Sequence, residues 1–212
     1  MPLAVDTYQL GPIGTNCYVV RTDRSASDAA VIDPGGDATQ LRLELARTGA
    51  RCAAILLTHT HYDHVGAVAD LAEAADAPVY VSPDAVGALE SPLVPAGFPV
   101  RGYEGAIRVA GGEPLEAAGI AFDVFDVPGH APGHLSFYAD GALFSGDVLF
   151  AGGVGRVDLP GGDWQTLLTS IRLLADRYPP ETTVYSGHGP PTTLGDELAR
   201  NPFLAELRAA QQ

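Results

Sequence analysis

The chain of 212 residues contains no lysine, one methionine and two cysteines. Its 12 basic residues are therefore all arginines, and they are opposed by 26 acidic residues, which gives a formal net charge of -14. Proteins bind nucleic-acid backbones largely through Lys and Arg side chains that neutralise phosphates. So acidic a composition predicts that nucleic acid is not a partner of this protein.

Long apolar runs and a basic leader are also missing. No stretch approaches the roughly 18 apolar residues of a membrane span, which predicts that the chain does not enter a membrane. Residues 1–10 have neither the basic region nor the apolar region of a signal peptide. Cys17 and Cys52 each lie in an apolar, strand-like run, which favours two reduced core thiols over a disulfide or a metal-binding role. Together these features predict a cytoplasmic protein.

Strand-like and helix-like segments alternate along the whole chain, which is typical of an α/β fold. A long loop with one helix is expected between residues 82 and 105, and Asp163 is a good N-cap for a helix. Without a linker or a tandem repeat, we expect one domain over residues 1–212. The predicted strands are 5–10, 17–21, 29–32, 53–57, 79–81, 107–109, 120–127, 135–138, 142–145 and 182–186, and the predicted helices are 38–48, 65–75 and 163–175, followed by a short C-terminal helical stretch.

Four of the apolar strands end in residues that can bind a metal. The strand at 53–57 leads to His59, His61, Asp63 and His64, and the later strands lead to His130, Asp147 and His188. Sheets place their ligand sites beyond one edge, where loops leave the scaffold. We therefore expect these four strand ends to converge on one site.

The segment from His59 to His64 carries the most information. His59 and His61 are two residues apart in extended chain and project from the same face, whereas Asp63 and His64 fall in the turn that opens the next helix. This separation suits two neighbouring metal ions better than one. Histidine and aspartate ligands without cysteine favour zinc first, with iron and manganese as the alternatives.

The segment 59–64, His-Thr-His-Tyr-Asp-His, resembles the HxHxDH signature of the metallo-β-lactamase superfamily, and further matches follow in the order of that family at 128–134, 145–147 and 186–189. The resemblance implies an αββα sandwich. It also implies one metal held by His59, His61 and His130, a second held by Asp63, His64 and His188, and Asp147 as a bridge between them. His134 would lie off the metals and support them.

Within the superfamily, the sequence is most similar to hydroxyacylglutathione hydrolases (glyoxalase II) and their short bacterial relatives. The similarity is carried by Gly11 to Tyr18, Gly155 to Asp163, Gly187 to Thr193 and Asn201-Pro202-Phe203. It implies a thioesterase acting on small hydroxyacyl-thiol esters such as S-lactoylglutathione. Full-length glyoxalase II has a further C-terminal helical domain that helps to hold glutathione, and this sequence shows no counterpart. We therefore expect weak or unselective binding of glutathione.

Three residues at or next to the predicted metal site have further expected roles. Asp63 would orient the attacking hydroxide or take its proton. Arg156 lies in the Gly-rich loop after Asp147, where relatives have a basic residue that meets the carboxylate of the substrate; the alternative is a solvated surface arginine. Asp33, in the turn Asp33-Pro34-Gly35-Gly36, is expected to form the turn rather than to bind a metal.

Other functions within the same superfamily stay open. A persulfide dioxygenase would use a single iron on this fold, although such enzymes tend to lack the second histidine of the 128–134 segment. The best-known dinuclear β-lactamases have cysteine where Asp147 stands. The acidic composition and the lack of an inserted nucleic-acid domain disfavour a nuclease. A non-catalytic metal-binding domain is disfavoured because seven ligands around two metals leave room for water.

Overall fold

The computed structural model describes residues 2–95, 98 and 100–209. Its first six strands form one sheet in which chain order and spatial order agree. The first three strands pair antiparallel, and each later strand adds in parallel. The strands are β1 (Ala4–Leu10), β2 (Thr15–Arg21), β3 (Asp28–Ile32), β4 (Arg51–Leu56), β5 (Val79–Val81) and β6 (Ile107–Arg108).

A second six-stranded sheet follows, in the order β14-β13-β10-β9-β8-β7. Its strands pair antiparallel except β10 and β13, which run parallel. A small separate hairpin, β11–β12, leaves the sheet after β10. The strands are β7 (Pro114–Ala117), β8 (Ile120–Asp126), β9 (Leu135–Ala139), β10 (Ala142–Gly146), β11 (Leu149–Phe150), β12 (Gly153–Val154), β13 (Thr183–Ser186) and β14 (Thr192–Thr193).

Helices cover the outer faces of both sheets. As predicted, Asp163 caps the longest of them, since its side chain accepts a hydrogen bond from the Thr166 backbone N–H at 2.8 Å. Among the described residues, no helix combines the length and the apolar character needed to cross a bilayer. The helices are α1 (Ala38–Thr48), α2 (Tyr62–Val65), α3 (Val68–Ala75), α4 (Val86–Glu90), α5 (Trp164–Arg177), α6 (Leu194–Arg200) and α7 (Ala205–Ala209), with short 3₁₀ turns at Pro83–Ala85 and Pro202–Leu204.

Alternation along β2 shows how the layers are built. Cys17 and Val19 pack on the outer face against α1 and α3, whereas Tyr18 and Val20 point inward to the second sheet. The inner layer includes the buried rings of Phe122, Phe137 and Phe144, and α5 covers the far face of the second sheet. The result is the expected αββα sandwich, and both cysteines are free and buried, as predicted.

The structure departs from the predicted elements in four places. The helix expected at 65–75 is interrupted, because α2 ends at Val65 and α3 begins at Val68. A Cβ atom on Gly66 would strike the backbone oxygen of Gly35, so the loop after β3 lies against the chain at this break. The predicted strands also omitted β7, the hairpin β11–β12 and β14. Residues 96, 97 and 99 of the predicted loop, and residues 1 and 210–212 of the predicted domain, lie outside the described residues.

Candidate metal centre

The four strand ends predicted from the sequence do meet at one edge of the sandwich. The chain leaves β4 towards His59, β8 towards His130, β10 at Asp147 and β13 towards His188. The seven predicted ligand residues lie in two adjoining groups there, which we call the first group (His59, His61 and His130) and the second group (Asp63, His64 and His188), with Asp147 between them.

The first group consists of three imidazoles whose nitrogens point at one another. His59 Nε2 lies 3.0 Å from His61 Nδ1, and His130 Nε2 lies 2.9 Å from the same atom. Burial, followed by neighbouring histidines, brings the pKa of His61 down to about 4, and burial also lowers the pKa of His59 and His130. Three neutral imidazoles with converging lone pairs form a donor set that suits a divalent cation.

The second group mixes carboxylate and imidazole. Asp63 Oδ2 lies 3.4 Å from His64 Nε2 and 3.3 Å from His188 Nε2. Asp63 and His64 are neighbours on the single turn of α2, and His188 reaches them from the loop after β13. The candidate ligand atoms of this second group lie within 4.8 Å of one another, as a shared cation requires.

Asp147 lies within reach of both groups. Its Oδ2 is 3.6 Å from His130 Nε2 of the first group, and its Oδ1 is 3.4 Å from His64 Nε2 of the second. Both Asp147 Oδ1 and His64 Nε2 are buried without a hydrogen-bond partner. Buried polar atoms are rarely left unpaired, so these two atoms fit positions that bound cations would satisfy.

Two of the predicted ligands in the first group are held by the nitrogens that face away from the centre. Nδ1 of His130 donates to the backbone oxygen of Arg156 at 2.8 Å, which leaves the Nε2 lone pair for a metal. Nδ1 of His59 lies 3.1 Å from the hydroxyl of Thr58. Such contacts fix the ring orientation and the tautomer of a metal-binding histidine.

Asp33 does more than form a turn. It has a positive φ of 51°, as a turn residue can, yet it is buried and its Oδ2 accepts from Nδ1 of His64 at 2.9 Å. The same carboxylate accepts from the backbone N–H and hydroxyl of Thr58, at 2.8 and 2.6 Å. The sequence analysis missed this role, although β3 runs parallel to β4 and so ends at the same edge of the sheet.

The start of β2 is a second support that the sequence analysis missed. The hydroxyl of Thr15 donates to Asp63 Oδ2 at 2.8 Å. The side-chain amide of Asn16 donates to the backbone oxygens of Ser186 and Gly189, at 2.9 and 2.8 Å, and thereby ties down the loop that carries His188. Two adjacent residues of the first sheet therefore hold two ligands of the second group.

Two further residues border Asp147: His134 holds its backbone, and Gly187 leaves room for its side chain. Nε2 of His134 accepts a hydrogen bond from the Asp147 backbone N–H at 3.1 Å, and its ring stacks on that of His59. His134 lies in none of the ligand groups found among the described residues, which agrees with its predicted supporting role. Gly187 leaves space for the centre, since a Cβ atom there would strike Asp147 Oδ1 and lie 2.6 Å from His64 Cε1.

Arg156 lies beside the first group, but its guanidinium is engaged. Its Nε and one terminal nitrogen donate to the two carboxylate oxygens of Asp158, both at 2.7 Å. The hydrogen bond to Asp158 raises the pKa of Arg156. Both side chains are largely exposed, so a substrate carboxylate would have to compete with Asp158 for this arginine.

Comparison with known proteins gives matches along most of the chain. The model of the metallo-β-lactamase superfamily matches residues 10–188. The probable metallo-hydrolase YqgX of Bacillus subtilis is 38% identical over 202 residues, which cover 92% of this chain and 94% of that protein. Hydroxyacylglutathione hydrolase GloC of Haemophilus influenzae is 35% identical over 202 residues, covering 89% of this chain and 92% of that protein.

Solved structures with a similar fold also match most of the chain. BLEG-1, described as a B3 metallo-β-lactamase, has a TM-score of 0.89 and 41% identity, with 95% of this chain and 100% of that chain covered. TTHA1623, solved in a di-iron-bound form, has a TM-score of 0.85 and 42% identity, with 94% and 100% covered. With the family model and the relatives each spanning most of the sequence, the chain belongs to the metallo-β-lactamase superfamily.

Proposed function

We propose that this protein is a dinuclear metal-dependent thioesterase that cleaves hydroxyacyl-thiol esters such as S-lactoylglutathione, with residues 1–212 forming one hydrolase domain. The observation that carries the proposal is the position of Asp147, which lies between two complete ligand groups. The hydroxyacylglutathione hydrolase name of the Haemophilus influenzae relative supports the thioester, and the di-iron form of TTHA1623 supports two metals.

In this proposal His59, His61 and His130 would hold one divalent cation, Asp63, His64 and His188 would hold the other, and Asp147 would be shared between the two. The bound cations would lower the pKa of a water molecule from about 15.7 towards neutrality and polarise the scissile carbonyl. Nitrogen and carboxylate donors suit zinc first, with iron and manganese as alternatives. The protein then needs no serine or cysteine nucleophile.

Asp63 is the proposed proton acceptor. Thr15 and His188 both face its Oδ2, so this oxygen is the anchored one. Its Oδ1 is the atom that we assign to the proton of the attacking water. Because Asp63 belongs to the second group and is held by Thr15, its carboxylate has a fixed direction relative to the reacting carbonyl.

Arg156 is the proposed anchor for a carboxylate of the thiol. The guanidinium already binds a carboxylate in the bidentate way that substrate recognition would require, namely that of Asp158. Exchange of Asp158 for a substrate carboxylate keeps the charge pairing and brings the thiol side of the ester next to His130. An exposed pair of this kind is weak enough to open.

Hydrolysis of β-lactams is the second candidate, and the likeness to BLEG-1 is the observation that favours it. It uses the same centre and the same attack on a carbonyl carbon, and it differs in substrate. A persulfide dioxygenase would need a single iron, and the completeness of the second group argues against it.

The test compares three substrates on the metal-loaded protein: an acyl-glutathione, an uncharged thioester of equal reactivity and a β-lactam. We expect the acyl-glutathione to be hydrolysed with the highest kcat/KM. Arg156→Ala should raise KM for the acyl-glutathione by about threefold to tenfold with little change in kcat, since it removes binding common to ground and transition states. Arg108→Ala, an exposed arginine on β6, is the control. Faster turnover of the β-lactam, or no difference between the thioesters in both proteins, would overturn this assignment.

A further inference from the structure

The opening of the metal centre is marked by the ligands that keep some exposure. The side chain of His188 is 31% exposed and His61 is half-buried, whereas His59 and His64 are fully buried. A substrate therefore approaches over His61 and His188. The ring of Phe150 stands edge-on to His188, with the centroids 6.0 Å apart and the planes at 81°, and it is itself half-buried. Phe150 thus forms an apolar wall at the His188 side of this opening.

Phe150 is carried by the hairpin β11–β12, which has two residues in each strand. So short a hairpin is not stable alone in water. Its backbone is fixed from behind by α6 and the residue that follows it. The side-chain amide of Asn201 donates to the oxygen of Gly153 at 3.0 Å and lies 3.5 Å from that of Phe150, and Glu197 accepts from the Gly152 N–H at 2.8 Å.

Glu197 and Asn201 form a closed buried network. They are 5% and 1% exposed, and the Asn201 amide donates to Glu197 at 2.8 Å. The hydroxyl of Thr192 donates to the other carboxylate oxygen at 2.7 Å. Burying a carboxylate is costly unless its oxygens accept hydrogen bonds, and here those bonds reach the hairpin. The network therefore holds the hairpin, and with it Phe150, at a fixed distance from His188.

The two sides of the opening differ in chemistry. The backbone oxygen of Arg156 contacts His130 of the first group, so this arginine lies in the loop on that side, and the ring of Phe150 lies against His188 of the second. If the thiol carboxylate binds at Arg156, the acyl group of the same ester extends over the second group towards Phe150. From this arrangement, which rests on the proposed function, we infer that Phe150 contacts the acyl group and sets acyl-chain preference, with Asn201 and Glu197 as positioning residues.

The experiment measures kcat/KM for acetyl-, lactoyl- and hexanoyl-glutathione, together with metal content. Phe150→Ala should lower kcat/KM for the hexanoyl ester by about tenfold and for the acetyl ester by less than about threefold, because each buried methylene contributes to apolar contact. Phe150→Leu, which keeps an apolar wall, should retain most of the hexanoyl rate. Asn201→Ala should reproduce the chain-length dependence with metal content unchanged, and Glu206→Gln, an exposed carboxylate on α7, should match wild type.

The outcomes separate this inference from the proposed function. Wild type that hydrolyses none of the three esters overturns the proposed function, and this inference with it. Active wild type with equal losses on all three esters in Phe150→Ala overturns the contact with the acyl group alone. Loss of metal in Asn201→Ala, or equal losses on all three esters, would show that Asn201 supports the fold rather than the acyl wall.

Discussion

The two ligand groups of the centre differ in charge. The first group has three imidazoles, and burial favours their neutral form. In the second, burial acts to lower the pKa of His64, but the carboxylates of Asp147 and Asp33 outweigh it and raise the pKa well above its usual value. A cation at the first group meets lone pairs that are already free, whereas a cation at the second must displace a proton. The difference predicts that the second group is the more easily emptied as the pH falls, because protonation of His64 competes with the cation there.

The two groups also differ in what holds them. The first is held by the Arg156 backbone oxygen and the Thr58 hydroxyl. The second is held by side chains of the first sheet, with Asp33 on His64 and Thr15 on Asp63. The first group thus has one backbone support, which survives substitution of its residue, whereas both of these supports of the second group are side chains. Substitution of a supporting residue should therefore weaken metal binding at one group more than at the other.

The largest loss of activity is expected for substitution of Asp147, which lies between the two groups. Asp147→Ala removes the carboxylate that lies within 3.6 Å of both groups. We expect kcat/KM on a thioester to fall by about a hundredfold or more, with metal lost from the centre. Steady-state kinetics and elemental analysis measure both quantities. Asp140→Asn, in the exposed turn after β9, is the control; near-normal turnover of Asp147→Ala with two metals bound would refute the bridge.

Asp33→Ala should weaken metal binding at the second group more than at the first. It removes the partner of His64 Nδ1 and leaves the contact of His130 in place, and in the first group it affects only the Thr58 hydroxyl that faces His59. We expect metal content to fall towards one per chain and activity to fall by about tenfold to a hundredfold, the scale for loss of a ligand's hydrogen-bond partner. Asp37→Asn, exposed at the start of α1, controls for changes in the same loop. Equal loss of both metals would mean that the groups are not independent.

The smallest loss of activity is expected for Thr15→Val. It deletes one hydrogen bond to Asp63 while keeping the shape of the side chain, and a buried hydrogen bond contributes about 1 kcal/mol. We expect activity to fall by about threefold to tenfold, together with weaker binding of the second metal in a chelator titration. Thr7→Val, on the exposed part of β1, should behave as wild type. A Thr15→Val protein with unchanged metal affinity would show that Asp63 needs no support from β2.

The αββα fold and the convergence of the four strand ends could be predicted from the sequence, because each ligand follows a recognisable apolar strand. The residues that support the ligands could not be predicted, since Thr15, Asn16 and Asp33 are remote from the ligands in sequence. Thr15 and Asp33 reach them across the first sheet, and Asn16 reaches the loop after β13 of the second sheet. The hairpin β11–β12 was also missed. Its strands have two residues each, too few for a periodic pattern, and long-range hydrogen bonds from α6 and Asn201 hold it in place.

The central claim is that this chain holds two metals in two unequal groups. Elemental analysis of gently purified protein, before and after limited treatment with a chelator, tests it directly. We expect about two transition-metal ions per chain at first, then a plateau near one, with hydrolysis of the thioester lost at the plateau because both cations would be needed to supply the hydroxide and polarise the carbonyl. A value of about one per chain in fully active protein, unchanged in His64→Ala, would contradict the account.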